Sequence, residues 1–295
     1  MQLQTAQRQQ VKLRLGISGP SGFGKTYSAL LLAFGITEDY NKIAVIDTEN
    51  GSASLYAHLG DFKVINLEAP YPPERYVHAI EVCEKAGIEV IIIDSITHEW
   101  NGAGGCLEIH EKLGGRFQDW SKVSPRHQTF IDKILQSQCH VITSVRRKVN
   151  YSMDTAANGK TKVIKHGTKE ITREGFEYEL TVNFELLNEK HLVKASKDRT
   201  GLFMNKPEFV INSATGKKLV SWCLEGIKVE EIRKEINQCE TLEGLRHVYS
   251  KYPNLQSSIL EEVLKRKMQL EEARNAIVPN HQILTANQKE DGAHK

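Results

Sequence analysis

The chain has only five cysteines, Cys83, Cys106, Cys139, Cys223 and Cys239, widely spaced and without a CxxC pair. That odd, scattered set excludes a disulfide framework and a thiolate zinc site, and it points to a reducing compartment. Long apolar runs are lacking as well: nothing approaches the ~20 apolar residues of a membrane span. The opening MQLQTAQRQQ is polar and has no signal-peptide core. The expectation is a cytoplasmic protein with no membrane partner. Excess charge is also missing. With a net charge of +2, nucleic-acid binding would have to come from local clustering and not from a globally basic surface.

What is present is an alternation of short apolar runs with amphipathic stretches. Val11 to Ile17 alternates apolar with basic or small residues and runs into GPSGFGKT, Gly19 to Thr26, which predicts a strand, a turn and then a buried helix from Lys25. KIAVID, FKVINL, IEVIIID ending at Asp94 and CHVITSV predict further strands, the third being the most apolar run and so the centre of a sheet. Helices are predicted at Pro73 to Ala86 and roughly Ser124 to Gln138, and EYELTVNFELL with HLVKASK reads as a late antiparallel pair. This order predicts an α/β fold with three layers and a mainly parallel central sheet.

Two segments break the pattern. Between Trp100 and Trp120 five glycines predict mobile loops around one short helix, and Asn150 to Thr172 predicts a long exposed loop or hairpin. After about Gly226 the chain turns to charged amphipathic helices. The expected organisation is a core over 1–225, a helical module over 226–278 and a polar tail over 279–295.

GPSGFGKT satisfies G-x-x-x-x-G-K-[ST] between a predicted strand and a predicted helix, the setting in which the pattern becomes a phosphate cradle. Gly19, Ser21, Gly22, Phe23, Gly24, Lys25, Thr26 and Tyr27 are the candidate nucleotide-binding residues. Lys25 would reach the β- and γ-phosphates of ATP and Thr26 would ligate Mg²⁺. Asp94, a carboxylate closing the most hydrophobic strand, is the second candidate metal ligand, a helix N-cap being the alternative. Glu49, just past the next strand, is the candidate base that polarises the attacking water; the alternative is a solvated loop residue. Asp47 reads as structural.

Arg146, Arg147, Lys148, Lys160, Lys162, Lys165, Lys169 and Arg173 crowd one segment, against only Asp154 and Glu170. With Tyr151 available for stacking, such a basic arm suits single-stranded DNA; a solvated hairpin or a lid over nucleotide phosphates is the alternative.

In order and spacing GPSGFGKT, VIDTENG and VIIIDS resemble the RecA/KaiC-like branch of P-loop ATPases over about residues 11–225. Within it the chain is most similar to phage-encoded nucleotide-binding proteins with a minimal RecA-like core, through TREGFEYEL and KASKDRTGLF. The resemblance implies a DNA-dependent ATPase of phage recombination or strand annealing, working as a homo-oligomer in ring or filament form in the host bacterial cytoplasm, with a single-strand-binding or other recombination protein as a possible partner. It also implies that Lys197 and Arg199 reach a neighbouring subunit's γ-phosphate as an arginine finger, an exposed basic strand end being the plain alternative. Two features depart from RecA: Thr143 and Ser144 stand where RecA has a phosphate-sensing glutamine, and no N-terminal helical extension is recognisable. A ring-shaped helicase-like motor and an ATP-switched regulatory protein are the rival readings.

Overall fold

The computed structural model describes residues 11–155, 161–224, 229–252 and 255–277. The chain divides after Cys223 into two compact units.

The first unit is built on a nine-stranded sheet. Its parallel part contains β1 (Arg14–Gly19), β2 (Ile43–Asp47), β3 (Lys63–Asn66), β4 (Val90–Asp94), β5 (His140–Thr155) and β7 (Val182–Leu186). These lie in the order β3-β2-β4-β5-β1-β7. Beyond β7 the sheet turns antiparallel through β8 (Leu192–Asp198) and β9 (Phe209–Val210). β5 outruns the sheet, and its far half pairs antiparallel with β6 (Thr161–Glu170), from Arg147 opposite Glu170 to Thr155 opposite Thr161. The exposed segment predicted as a loop or hairpin is thus a two-stranded ribbon continuous with a central strand.

β2 and β4 read as near-continuous apolar runs because both faces of the sheet are covered there. Leu15, Ile17, Val45, Ile92, Ile142 and Phe184 face α1 (Lys25–Thr37) and α6 (Ser213–Leu224). Their neighbours Ala44, Ile46, Ile91, Ile93 and Val141 face α2 (Pro73–Lys85) and α5 (Trp120–Gln136), where Tyr76, Ile80, Phe130 and Ile134 complete the second core. Each of the larger aliphatic and Phe side chains among these contributes about 1.5–3 kcal/mol on burial. Three layers result. Arg14 is a buried charge on the second face. Its guanidinium donates to the carbonyls of Leu135 (2.9 Å) and Ser137 (2.6 Å), closing the C-terminus of α5, and burial pushes its pKa down to about 10.

The stretch between the tryptophans holds the one short helix expected there, α4 (Cys106–Lys112), followed by a 3-10 turn at Phe117–Asp119. α3 (Thr97–Asn101) runs into the start of the stretch, and α5 begins at Trp120, ahead of Ser124. Pro125 sits inside this helix, in its second turn. The Trp100 and Trp120 rings stack at 5.6 Å and His110 stacks on Trp120 at 4.1 Å, so aromatic contact sets the path that glycine spacing left open.

The second unit contains α7 (Val229–Gln238), α8 (Leu242–Lys251) and α9 (Gln256–Ile277). They close over Ile232, Ile236, Leu245, Val248, Tyr252 and Ile259. The Thr241 hydroxyl accepts from the Gly244 amide and caps α8. No helix among the described residues is long and apolar enough to cross a membrane.

α1 and α6 meet backbone to backbone. A Cβ on Gly35 would lie 2.0 Å from the Ser213 carbonyl oxygen and 2.9 Å from Gly216 Cα. Gly35→Ala is therefore expected to lower stability by about 1–3 kcal/mol, read as a lower urea midpoint at unchanged slope. An unshifted midpoint would contradict this close contact.

Candidate active site

The parallel strands bring their C-terminal ends to one edge. Asp47 on β2 stands opposite Asp94 on β4, and Gly19 on β1 stands opposite Arg146 on β5. In an open α/β sheet this edge is where ligands bind. Between β1 and α1 the chain turns through Gly22 (φ 84°) and Gly24 (φ 89°), left-handed conformations that disfavour any side chain. No side chain caps α1, so its first amides face the turn.

A cavity of about 450 Å³ opens there, lined by Ser21, Gly22, Gly24, Lys25, Thr26, Tyr27, Glu49, Ser52, Tyr56, Asp94, Arg146 and His191. Six of the eight residues expected to hold nucleotide thus line it. Gly19 instead ends β1 as a buried strand residue, and the Phe23 ring packs on the apolar core, leaving its backbone to the turn. Lys25 Nζ donates to the Pro20 carbonyl at 2.9 Å. Burial lowers its pKa; Asp94 opposes that shift and Arg146 adds to it.

Asp94 is held by hydroxyls from two different elements. Thr26 Oγ1 donates to its Oδ2 at 2.5 Å, and Ser144 Oγ donates to its Oδ1. The carboxylate therefore faces the cavity and is not a helix N-cap. Thr26 and Asp94 offer hard oxygen donors only, a set that suits a partly hydrated Mg²⁺. Ser144 is engaged with Asp94, while Thr143 donates to the Leu15 carbonyl.

Glu49 lines the cavity, held by three donors. Ser95 Oγ (3.0 Å) and Arg146 Nε (2.8 Å) donate to Oε1, and Arg146 Nη2 donates to Oε2. Asp47 has the structural part expected of it: its carboxylate accepts from the amides of Glu49 (2.6 Å) and Ala53 (2.7 Å), folding the turn that carries Glu49.

Two arginines read as part of the DNA arm take other positions. Arg146 is in the nucleotide cavity. Arg147 donates to Ser18 Oγ, Thr168 and Glu170 and pairs with Glu185 at 3.4 Å, with its side chain only 14% exposed. It ties the root of the hairpin to β1 and β7. Lys148 is exposed, Lys169 pairs with Glu174, and Arg173 lies 6.0 Å over the Trp120 ring. Lys160 falls outside the described residues, as do the side chains of Tyr151, Lys162 and Lys165. Lys197 and Arg199 do not line the cavity of their own chain; both donate to the Tyr178 carbonyl, and Arg199 is exposed.

Sequence reading missed Tyr56 and His191. Tyr56 sits in a 3-10 segment, its ring 5.7 Å from that of Tyr27 at the cavity mouth. His191, on the β7–β8 turn, donates from Nδ1 to the Phe23 carbonyl at 2.8 Å. No motif marks either one. A third constellation, buried Glu99, Cys106 and His127, satisfies itself: the thiol and the imidazole Nδ1 each lie 3.0 Å from Glu99 Oε1. It fastens α5 to α3 and α4.

Lys25→Ala is expected to abolish nucleotide binding in equilibrium titrations; unchanged affinity would remove the cradle assignment. Arg147→Ala is expected to cost about 2 kcal/mol of stability, because it removes the nearest cation from two largely buried carboxylates, Glu170 and Glu185. A variant of unaltered stability that loses only DNA affinity would return Arg147 to the arm.

The comparisons bear on the whole first unit. A family model described as an AAA domain matches residues 11–210, from the approach to β1 to the end of β9. No curated protein is similar enough to match. The match covers well over half of the chain and includes the glycine turn, Glu49, Asp94 and β5. The chain belongs to this AAA domain family of nucleotide-binding P-loop ATPases.

Proposed function

We propose that the chain is an ATP-dependent, single-stranded-DNA-binding ATPase that acts as a homo-oligomer in phage-type recombination or strand annealing. The observation that carries this reading is the continuity of β5: one strand passes the nucleotide cavity at Arg146 and then runs out into the basic hairpin. Binding at the hairpin and chemistry in the cavity would share that strand.

The glycine turn and the N-terminus of α1 would hold the triphosphate, with Thr26 and Asp94 holding Mg²⁺. When bound, Mg²⁺ would supply neutralisation of the phosphate charge. Glu49 would orient and deprotonate the attacking water, as an end-of-strand carboxylate suits. Lys197 and Arg199 would serve a neighbouring subunit.

The DNA surface would extend from the hairpin to the cavity of about 830 Å³ lined by Trp100, Phe117, Trp120, Lys169 and Arg173. Phe117 is 92% exposed there, an aromatic face beside cations, which is the chemistry of base stacking with phosphate attraction.

The test is steady-state ATP hydrolysis with Mg²⁺, with and without a single-stranded oligonucleotide, at low and moderate salt. A several-fold stimulation that falls steeply with salt is expected. Hydrolysis indifferent to DNA, with no DNA binding, would contradict the reading.

A further inference from the structure

Arg146 has the chemistry of a phosphate ligand and the position of a hinge. It is the last residue of β5 paired with β1, opposite Gly19, and Arg147 is the first paired with β6. Its backbone is pinned on both sides: the amide donates to Thr97 Oγ1 at 2.9 Å, and the carbonyl accepts from Ile171 N at 2.8 Å. Its side chain lines the cavity with Lys25 and the carboxylates of Glu49 and Asp94. Two cations thus face two anions.

The guanidinium grips Glu49 through both Nε and Nη2, the fork geometry that binds carboxylate most strongly. A Glu49 so engaged, and also accepting from Ser95, has both carboxylate oxygens occupied by protein donors and turned away from a water. A phosphate oxygen is the other anion a guanidinium fork fits. A bound triphosphate adds negative charge that Mg²⁺ offsets only in part, so it competes with Glu49 for Arg146.

Resting on the ATPase reading above, we propose that Arg146 belongs to the nucleotide and not to the DNA arm: it reads the terminal phosphate and locks Glu49 whenever that phosphate is absent. With ATP bound, the fork turns to the γ-phosphate and Glu49 is released to water. With ADP, the lock closes again. The shift begins at the root of the hairpin, so the phosphate state reaches the basic ribbon through one residue.

The test compares equilibrium affinities for ADP and for a non-hydrolysable ATP analogue, with Mg²⁺, in the full chain. Arg146→Ala is expected to weaken analogue binding about 10–100-fold, the worth of one or two charge-assisted hydrogen bonds. ADP affinity should stay within about twofold, since the lock makes no contact with the diphosphate. Arg146→Lys should recover part of the loss. Glu49→Gln should tighten analogue binding by freeing Arg146, and the same change in the Arg146→Ala background should do nothing. Equal loss of both nucleotides in the Arg146 variants would overturn the proposal in favour of a structural part. Unchanged nucleotide affinities with weakened oligonucleotide binding would overturn it in favour of the arm. Failure of the unmodified protein to bind either nucleotide would instead bring down the ATPase reading beneath it.

Discussion

Everything at the active edge depends on satisfying one buried carboxylate at the end of the most apolar strand. Asp94 closes a run of four aliphatic residues, where an unpartnered charge would cost several kcal/mol. Thr26 and Ser144 satisfy it from either side. Those two hydroxyls arrive from α1 and β5, so satisfying Asp94 fixes the phosphate-binding turn, the central strand and the strand that becomes the hairpin in one frame. Parallel pairing does the rest, because it ends β2 and β4 together at Asp47 and Asp94 and brings β1 out on the same edge.

The same edge carries the coupling. Beyond Ser144 the chain commits successive residues to opposite duties: Arg146 turns into the cavity, and Arg147 binds the carboxylates beneath the ribbon. One arginine can exchange partners because its alternatives are a carboxylate and a phosphate. The other has its donors shared among Ser18, Thr168, Glu170 and Glu185, which makes it an anchor. A movable residue beside a fixed one is what a nucleotide-sensitive ribbon requires.

The order of strands and helices was legible in the sequence because both faces of the sheet are covered, so central strands such as β2 and β4 are contiguous apolar runs. The glycine turn was legible because only glycine suits its left-handed positions. Glu49 and Asp94 were placed by their distance past apolar runs. Arg146 was not legible: in RRK it is one cation among three, and only the register with β1 separates it from its neighbours. Tyr56 and His191 lie in segments without periodicity. The aromatic stack of His110, Trp100 and Trp120 depends on contacts across a glycine-rich stretch that spacing alone read as loop.

The central claim is that phosphate state in the cavity is felt along β5 in the hairpin. Amide hydrogen exchange of the full chain, compared between ADP and a non-hydrolysable ATP analogue with Mg²⁺, tests it most directly. The account predicts a change in protection that starts at Arg146 and Arg147, continues into the paired residues of β5 and β6, and is absent in the Arg146→Ala protein. Protection confined to the glycine turn and α1, with the hairpin identical in both nucleotides, would contradict it.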